Sequence, residues 1–448
     1  MTRHSMELSR REWLGAAAGA LIGAAGLRGA DEALPRRPRV AAILTEFTHR
    51  SHAHVILENF LEPYYFNGEL TEPGVEVVSL YLDQFPEGRD MARDVARDYQ
   101  IPIYPTIAEA LRRGTGGLAV DAVLSIGEHG NYPTDERGVK QYPRKRFFDE
   151  IVAVFRKEGR AVPVFNDKHL SYRWDWSAEM MAAARELKIP FMAGSSVPLA
   201  QRRPPLELPP AAEIVEAVSI HSGPVEIYDF HALEVLQSMV EARRGGETGV
   251  RGIQLLEGDA VWEAAANGRW SYSLAEAAMQ AESGRSVGPL RDFVEPADGQ
   301  KHPVHAILVD YKDGLRGTVL RLGKAATRWN FACRLAQQAE PLATSFYVGP
   351  WENRNLFKAL SHAIQVHFRE RKTPYPVERT HLVTGMLAAA MDSRAQEHRG
   401  VETPHLEIDY APQDFRPLRE MGATWKIITE DQPQPKGINP GGPRPPKS

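Results

Sequence analysis

The sequence predicts an α/β protein whose first half is a parallel sheet covered by helices on both faces, and three observations predict it. Six short apolar runs between Arg39 and Ala193 alternate with segments of helical spacing. Runs such as Arg39-Val-Ala-Ala-Ile-Leu44 are apolar without alternation, as strands buried on both faces are. The chain has 448 residues, 43% hydrophobic and 25% charged, which suits a soluble globular chain of two or three domains.

Taken in order, strands are expected at 39–44, 75–82, 101–104, 120–126, 162–165 and 190–193. Helices are expected between them, around 55–61, 91–99, 107–113, 147–158 and 177–187. Thr106 with Glu109 three residues on is a capping box for the third helix, and Gly159 terminates the fourth. The Pro/Arg-rich stretch Gln201–Pro210 reads as a connection. Beyond it a helix is expected at 229–244 and strands at 250–256, 304–311, 316–322 and 345–347. Two further helices are expected at 356–369 and 379–394. His362 and His367 do not share a ligating helix face and read as structural. Trp262, Trp270 and Tyr272 read as core residues. From 396 the chain is an extended tail, polar, Pro/Gly-rich and disordered after about 430.

Composition excludes several classes. Lys+Arg total 54 against Asp+Glu 58, for a net charge of -4, so there is no basic footprint for nucleic acid. One cysteine, Cys333, excludes an intrachain disulfide scaffold and a Cys-based zinc cluster; its apolar setting suggests inert packing. The amino terminus carries Ser9-Arg10-Arg11-Glu12-Trp13-Leu14, then an uncharged stretch from Ala16 to Leu27, too short to span a membrane core of ~30 Å. Residues 1–33 resemble a bacterial twin-arginine (Tat) signal, with Trp13 where Phe is usual. That implies export of an already folded chain to the periplasm, with no integral membrane segment after the signal.

In parallel sheets ligands bind at the carboxyl ends of the strands. Here these ends are Thr45–His54, Asp83, Gly127–Asn131, Asn166–His169 and Gly194–Pro198. Several stretches resemble one family in order and spacing. They are Asp98–Leu111, Val120–Ile126, Gly159-Arg-Ala-Val-Pro-Val-Phe-Asn-Asp-Lys-His-Leu-Ser171, Ser222-Gly-Pro-Val-Glu-Ile-Tyr-Asp-Phe-His-Ala-Leu-Glu234 and Asp310–Leu320. Over about residues 39–395 the chain is similar to the glucose–fructose oxidoreductase / inositol dehydrogenase / MocA family. The resemblance implies a Rossmann-like domain (34–200), then an α+β substrate and oligomerisation domain (201–395) with an open, mostly antiparallel sheet. It implies an NAD(P)-dependent oxidoreductase acting on a sugar or polyol, in a homo-oligomer. The family's catalytic lysine maps to Lys168, its acidic partner to Asp167, its catalytic histidine to His231 and its adenosine-ribose acid to Asp83. Glu234 stands where an aspartate is usual, and His169 replaces the proline of the Glu-Lys-Pro motif. A lysine or a near-neutral histidine can take the hydroxyl proton while hydride leaves carbon; His129 is a second candidate for that task.

The sequence departs from the family at the first strand end. A dinucleotide fingerprint needs G-x-G-x-x-G there, and this loop reads Thr45-Glu-Phe-Thr-His-Arg-Ser-His-Ala-His54 without a glycine. NAD(P) would then be bound atypically, by Thr45, His49, Arg50, Asp83 and Glu128. Histidines with carboxylates also form the ligand set of a divalent metal, so His49, His52 and Asp167 are expected as a metal site, with His54 and Glu128 nearby. Two alternatives therefore stand beside the oxidoreductase: a metal-dependent sugar lyase or hydrolase, and a non-catalytic carbohydrate-binding protein.

Overall fold

A computed structural model describes residues 36–294, 303–322 and 329–441; the twin-arginine-like segment lies outside them. In chain order the first part comprises β1 (Arg39–Leu44), α1 (His52–Leu61), the hairpin β2 (Tyr64–Phe66) and β3 (Glu69–Thr71), β4 (Glu76–Leu82), α2 (Ala92–Asp98), β5 (Ile103–Tyr104), α3 (Ile107–Arg112), β6 (Ala122–Ile126), α4 (Arg144–Glu158), β7 (Val164–Asp167), α5 (Trp174–Glu186) and β8 (Phe191–Gly194). The second part comprises β9 (Gln201–Arg203), β10 (Ile214–His221), α6 (Ile227–Val240), β11 (Val250–Glu257), α7 (Asp259–Ala266), α8 (Tyr272–Ser283), β12 (His305–Tyr311), β13 (Arg316–Arg321), β14 (Trp329–Leu335), β15 (Leu342–Tyr347), α9 (Asn353–Glu370), α10 (Val377–Ala395) and β16 (Val401–Glu402).

The first sheet has the order β5-β4-β1-β6-β7-β8, with every pair parallel. Counted within the sheet alone this is 3-2-1-4-5-6, the doubly wound Rossmann order, whose ligand crevice lies where the order reverses, between β1 and β6. The central strands are buried along their length because helices cover both faces. Local signals place the ends of the helices. Thr106 accepts a hydrogen bond from the Glu109 amide (3.1 Å) and starts α3. Gly159, at φ 61°, ends α4 in the left-handed conformation that glycine adopts without strain.

The second sheet has the order β16-β11-β12-β13-β10-β14-β15-β9 and is antiparallel except for β10 against β13. The expected open, mostly antiparallel sheet is thus present. One apolar core joins a face of the first sheet (Val40, Leu44, Leu124) through α1, α6, α9 and α10 to a face of the second (Ile307, Val319, Phe331). A second core lies under α3, α4 and α5 (Ile43, Phe148, Met180). A third packs α7 and α8 on the far face of the second sheet, where Trp262 and Trp270 are core residues and Tyr272 stacks on Trp270. These two helices, absent from the sequence reading like the strand β14, cover that face of the sheet. Cys333 is buried in β14, and burial pushes its thiol up to about 12. His362 stacks on Phe66, and its Nδ1 lies 3.0 Å from the Tyr64 hydroxyl, while His367 Nδ1 meets the Lys372 carbonyl at 3.1 Å; both are held by packing and hydrogen bonds.

Over 430–441 the tail is held in place where disorder was expected; residues from 442 on lie outside the described ones. The Arg354 guanidinium donates to the carbonyls of Pro435, Gly437 (3.0 Å) and Asn439 (3.0 Å), and Lys358 Nζ donates to that of Pro440. The Trp351 indole N–H donates to Gln432 O at 2.9 Å. A Pro/Gly-rich strand cannot make a core of its own, but its carbonyls satisfy two cations buried on α9.

Candidate active site

Two carboxyl ends of the first sheet and the start of α4 converge on one carboxylate. Glu128 follows β6 and is buried; Lys168 follows β7 and places its Nζ 3.0 Å from Glu128 Oε1. Arg144, at the start of α4, holds the other oxygen, and its second terminal nitrogen lies 3.0 Å from His169 Nε2. Burial alone would raise the Glu128 carboxyl; Lys168 and Arg144 outweigh it and hold the group well below its ordinary range. The centre is therefore an ionised carboxylate between two cations.

The backbone around this centre is strained. Lys168 has φ 63°, His129 φ 69° and Glu226 φ 69°, all in a region that side chains other than glycine rarely adopt. Polar atoms are also left over. His129 Nε2, Arg144 Nε and His169 Nδ1 are buried without a hydrogen-bond partner. Such uncompensated strain and polarity persist at sites that act on something.

Histidines and acids surround the centre. His52 Nδ1 lies 2.6 Å from Asp167 Oδ2, and its ring is 5.1 Å from that of His129. Burial, with the charge of His52 second, lowers His129 to about 4, so it is neutral at ordinary pH. His231, on α6, places Nδ1 2.7 Å from the Ser195 hydroxyl, and Ser195 Oγ accepts from the Val197 amide at 3.0 Å. Burial, then the Lys168 charge, keeps His231 well below its usual value. Glu226 caps α6 opposite His169 (3.5 Å), and burial pushes its carboxyl up to about 7. Glu234 donates nothing to this group: Thr380 binds it at 2.7 Å, and burial raises it to about 7 as well.

A cavity of about 350 Å³ lies beyond Tyr228 and Trp329, whose rings pack against that of His231. Tyr228 and Trp329, stacked at 5.3 Å, form one wall; Arg50, Glu352 and Asn353 supply polar groups, and the buried His221 also lines it. The Trp329 ring lies 5.5 Å from that of His231. Aromatic faces beside polar side chains suit a polyhydroxyl ring.

The structure brings together Lys168, Asp167, Glu128, His129, His52 and His231. It separates the other expected residues from them. His49 packs its ring 5.1 Å from that of His54 instead of joining His52 and Asp167, so the expected metal trio is not assembled. His54 cannot ligate either: its Nδ1 accepts from the Arg50 amide (2.8 Å) and its Nε2 donates to Gly437 O (2.9 Å). Asp83 already accepts from the hydroxyls of Tyr81 (2.8 Å) and Tyr132 (2.6 Å) and from Arg146 (2.6 Å). Arg50 is latched to α9, donating to Asn353 at 3.0 Å and to Glu352. The Thr45 hydroxyl donates to the Glu128 carbonyl and ties the two strand ends together.

The β1–α1 loop does not fit a pyrophosphate in the glycine-loop manner. Thr45, Glu46, Phe47, Thr48 and Ser51 are buried, so side chains fill the space that glycines would leave. Ser51 Oγ accepts from the amides of Thr48 (3.1 Å) and His54 (3.4 Å), consuming donors of the helix terminus. Glu46, held by the Thr48 hydroxyl at 2.9 Å, adds a carboxylate where an anion would lie.

Sequence reasoning missed Arg144 and Glu226. Arg144 carries a faint signal: it follows Pro143 at a helix start, just beyond a strand end. Glu226 lies within Ser222–Glu234, but only the positive-φ turn before α6 reveals its inward path.

No family model and no curated protein matches the chain. Solved structures do match in shape. Myo-inositol dehydrogenase from Lactobacillus casei, in complex with NAD(H) and myo-inositol, aligns over 85% of this chain and all (100%) of its own, at 13% identity and a TM-score of 0.54. GenD2 from gentamicin A biosynthesis, in complex with NAD, aligns over 82% and 96% at 14% identity and a TM-score of 0.51. An oxidoreductase from Agrobacterium radiobacter, in complex with NAD+, L-tartaric acid and magnesium, aligns over 82% and 98% at 12% identity and a TM-score of 0.50. The chain therefore has the fold of the inositol dehydrogenases and related oxidoreductases, as its resemblance to the glucose–fructose oxidoreductase / inositol dehydrogenase / MocA family implies.

Proposed function

We propose that this chain is an exported enzyme on an oxidoreductase scaffold that acts on a sugar or polyol, with Lys168 exchanging a proton with a substrate hydroxyl. The observation that carries the reading is the buried Glu128–Lys168–Arg144 centre, strained at Lys168 and ringed by histidines. In the reducing direction the Lys168 ammonium donates its proton to a carbonyl oxygen; in the oxidising direction the amine takes the hydroxyl proton. Glu128 and Arg144 position the lysine. His231, oriented by Ser195, and His129 offer further hydrogen bonds to a polyhydroxyl substrate. A bound nicotinamide would supply the hydride acceptor, and with the β1–α1 loop filled it would be held otherwise than by a glycine-rich turn.

A second reading is favoured by that filled loop: a polyol-binding protein that retains the fold without redox chemistry. Absorbance near 340 nm and nicotinamide fluorescence of the purified chain, with NAD+ and NADP+ titrations, separate the two. Retained or titratable nicotinamide together with turnover of a polyol supports the enzyme. Binding of a polyol with no affinity for either dinucleotide supports the second reading. Full polyol turnover by Lys168→Met would sink the assigned role of the lysine.

A further inference from the structure

A second buried cluster lies outside this centre. His221 ends β10, Asp229 is in the first turn of α6 and His305 starts β12, so three separate elements of the second half meet at one point. Asp229 Oδ1 lies 2.9 Å from His221 Nε2 and 2.8 Å from His305 Nε2. All three side chains are buried, and they are the one His/Asp/Glu/Cys group of metal-binding spacing among the described residues.

The surroundings of the cluster decide what it can hold. His305 Nδ1 is 3.2 Å from the Pro303 carbonyl, which can only accept, so the proton is on Nδ1. The Nε2 atoms of both histidines then converge on Asp229 Oδ1, so two ring nitrogens and a carboxylate oxygen lie within ligand distance of one point. Histidines that bind metals characteristically donate their other ring N–H to a carbonyl in this way. The ligand carboxylate is itself fixed: Asp229 Oδ2 accepts the Glu226 amide at 2.8 Å. His221 Nδ1 is buried without a partner, and the residue lies in the wall of the 350 Å³ cavity. Arg321, the neighbouring cation, donates from Nε to the Gly223 carbonyl at 2.9 Å.

We propose that His221, Asp229 and His305 form a binding site for one divalent transition-metal ion of the zinc class, through two imidazole Nε2 atoms and one carboxylate oxygen. Two histidines and a carboxylate are a recurrent set for such ions. Ligand bonds of about 2.0–2.1 Å at a tetrahedral centre place the donors about 3.3 Å apart, so the ion spreads the present contacts by about half an ångström. The ion fixes the start of α6 to the second sheet and, through the Glu226 amide, sets the position of the Glu226 carboxyl opposite His169. The proposal is independent of the role given to Lys168.

The test uses the full chain, stripped with a chelator and titrated with Zn2+ or Co2+ alone. Elemental analysis after dialysis is expected to show one equivalent of metal, and the cobalt form is expected to show visible d–d bands without a thiolate charge-transfer band. Asp229→Asn and His305→Gln are expected to weaken binding by roughly 100-fold or more, while the exposed-residue control His405→Gln leaves it unchanged. If either cluster variant fails to fold, the copper form of the unaltered chain decides. Superhyperfine coupling to two nitrogens in its electron paramagnetic resonance spectrum supports the site, and any other number overturns it. A folded, unaltered chain that retains no metal, or cluster variants that bind as tightly as it does, also overturn the proposal.

Discussion

Two buried ion-pair networks in this chain are alike in composition and opposite in character. Arg354 on α9 pairs with Glu58 on α1 through two contacts, and its remaining donors reach the tail carbonyls of Pro435, Gly437 and Asn439. Arg144 pairs with Glu128 beside Lys168, yet Arg144 Nε, His129 Nε2 and His169 Nδ1 stay unpartnered and the lysine backbone is left-handed. The first network is satisfied and joins three segments of the fold. The second leaves hydrogen-bonding capacity and strain in place at a strand end. A buried charge pair is thus no sign of function by itself; what sets the second network apart is its unspent polar atoms together with the left-handed backbone at Lys168.

The largest effect that tests this contrast comes from the satisfied network. Glu58→Ala leaves Arg354 buried against carbonyls alone and is expected to cost about 3–5 kcal/mol, read as a fall in the denaturation midpoint. It should also expose the 430–441 segment to protease. A loss below about 1 kcal/mol would remove the structural meaning assigned to the pair.

The pH dependence comes next. The Glu226 carboxyl is raised by burial from 4.5 to about 7. A carboxyl raised in the folded state contributes stability that is complete below pH 4.5 and is lost as pH rises through about 7. The unaltered chain should therefore lose stability relative to Glu226→Gln across that window, by roughly 1–3 kcal/mol. A constant difference in melting temperature between the two from pH 4.5 to 8 would show that the carboxyl is ionised throughout.

Lys168→Met should behave unlike Glu58→Ala. Arg144 still neutralises Glu128, so the stability loss is expected at about 1–2 kcal/mol. Turnover of a polyol should fall by about 10²–10⁴-fold. Equal destabilisation by the two substitutions would erase the distinction between the networks.

What was legible in the sequence follows the same division. Strands such as 39–44 and 120–126 were readable because burial on both faces imposes a continuous apolar run. Lys168, Asp167, Glu128 and His129 were readable because strand ends are short and the topology rule selects them. Arg144 and Glu226 were not, since neither lies at a strand end of the first sheet, and the His221–Asp229–His305 cluster was not, since 76 residues separate Asp229 from His305. The tail misled for the opposite reason. Its composition forbids a core of its own, but Arg354 and Lys358 on another element supply what it lacks. The His49–His52–Asp167 grouping failed because proximity along a loop does not fix where rings point; His49 turns to His54 and His52 to Asp167.

The smallest effect concerns the loop that distinguishes this chain from a glycine-rich cradle. Ser51 caps α1, accepting from the His54 amide and from that of Thr48, and donates to the Thr48 carbonyl at 2.8 Å. Ser51→Ala should cost about 1 kcal/mol and free the amide donors at the start of the helix. If the capping hydroxyl is what keeps anions out, pyrophosphate or NAD+ should bind the variant more tightly than the unaltered chain in calorimetric titration. If both bind alike, exclusion rests instead on the buried bulk of Phe47 and the charge of Glu46, and Glu46→Gln becomes the substitution that admits the anion.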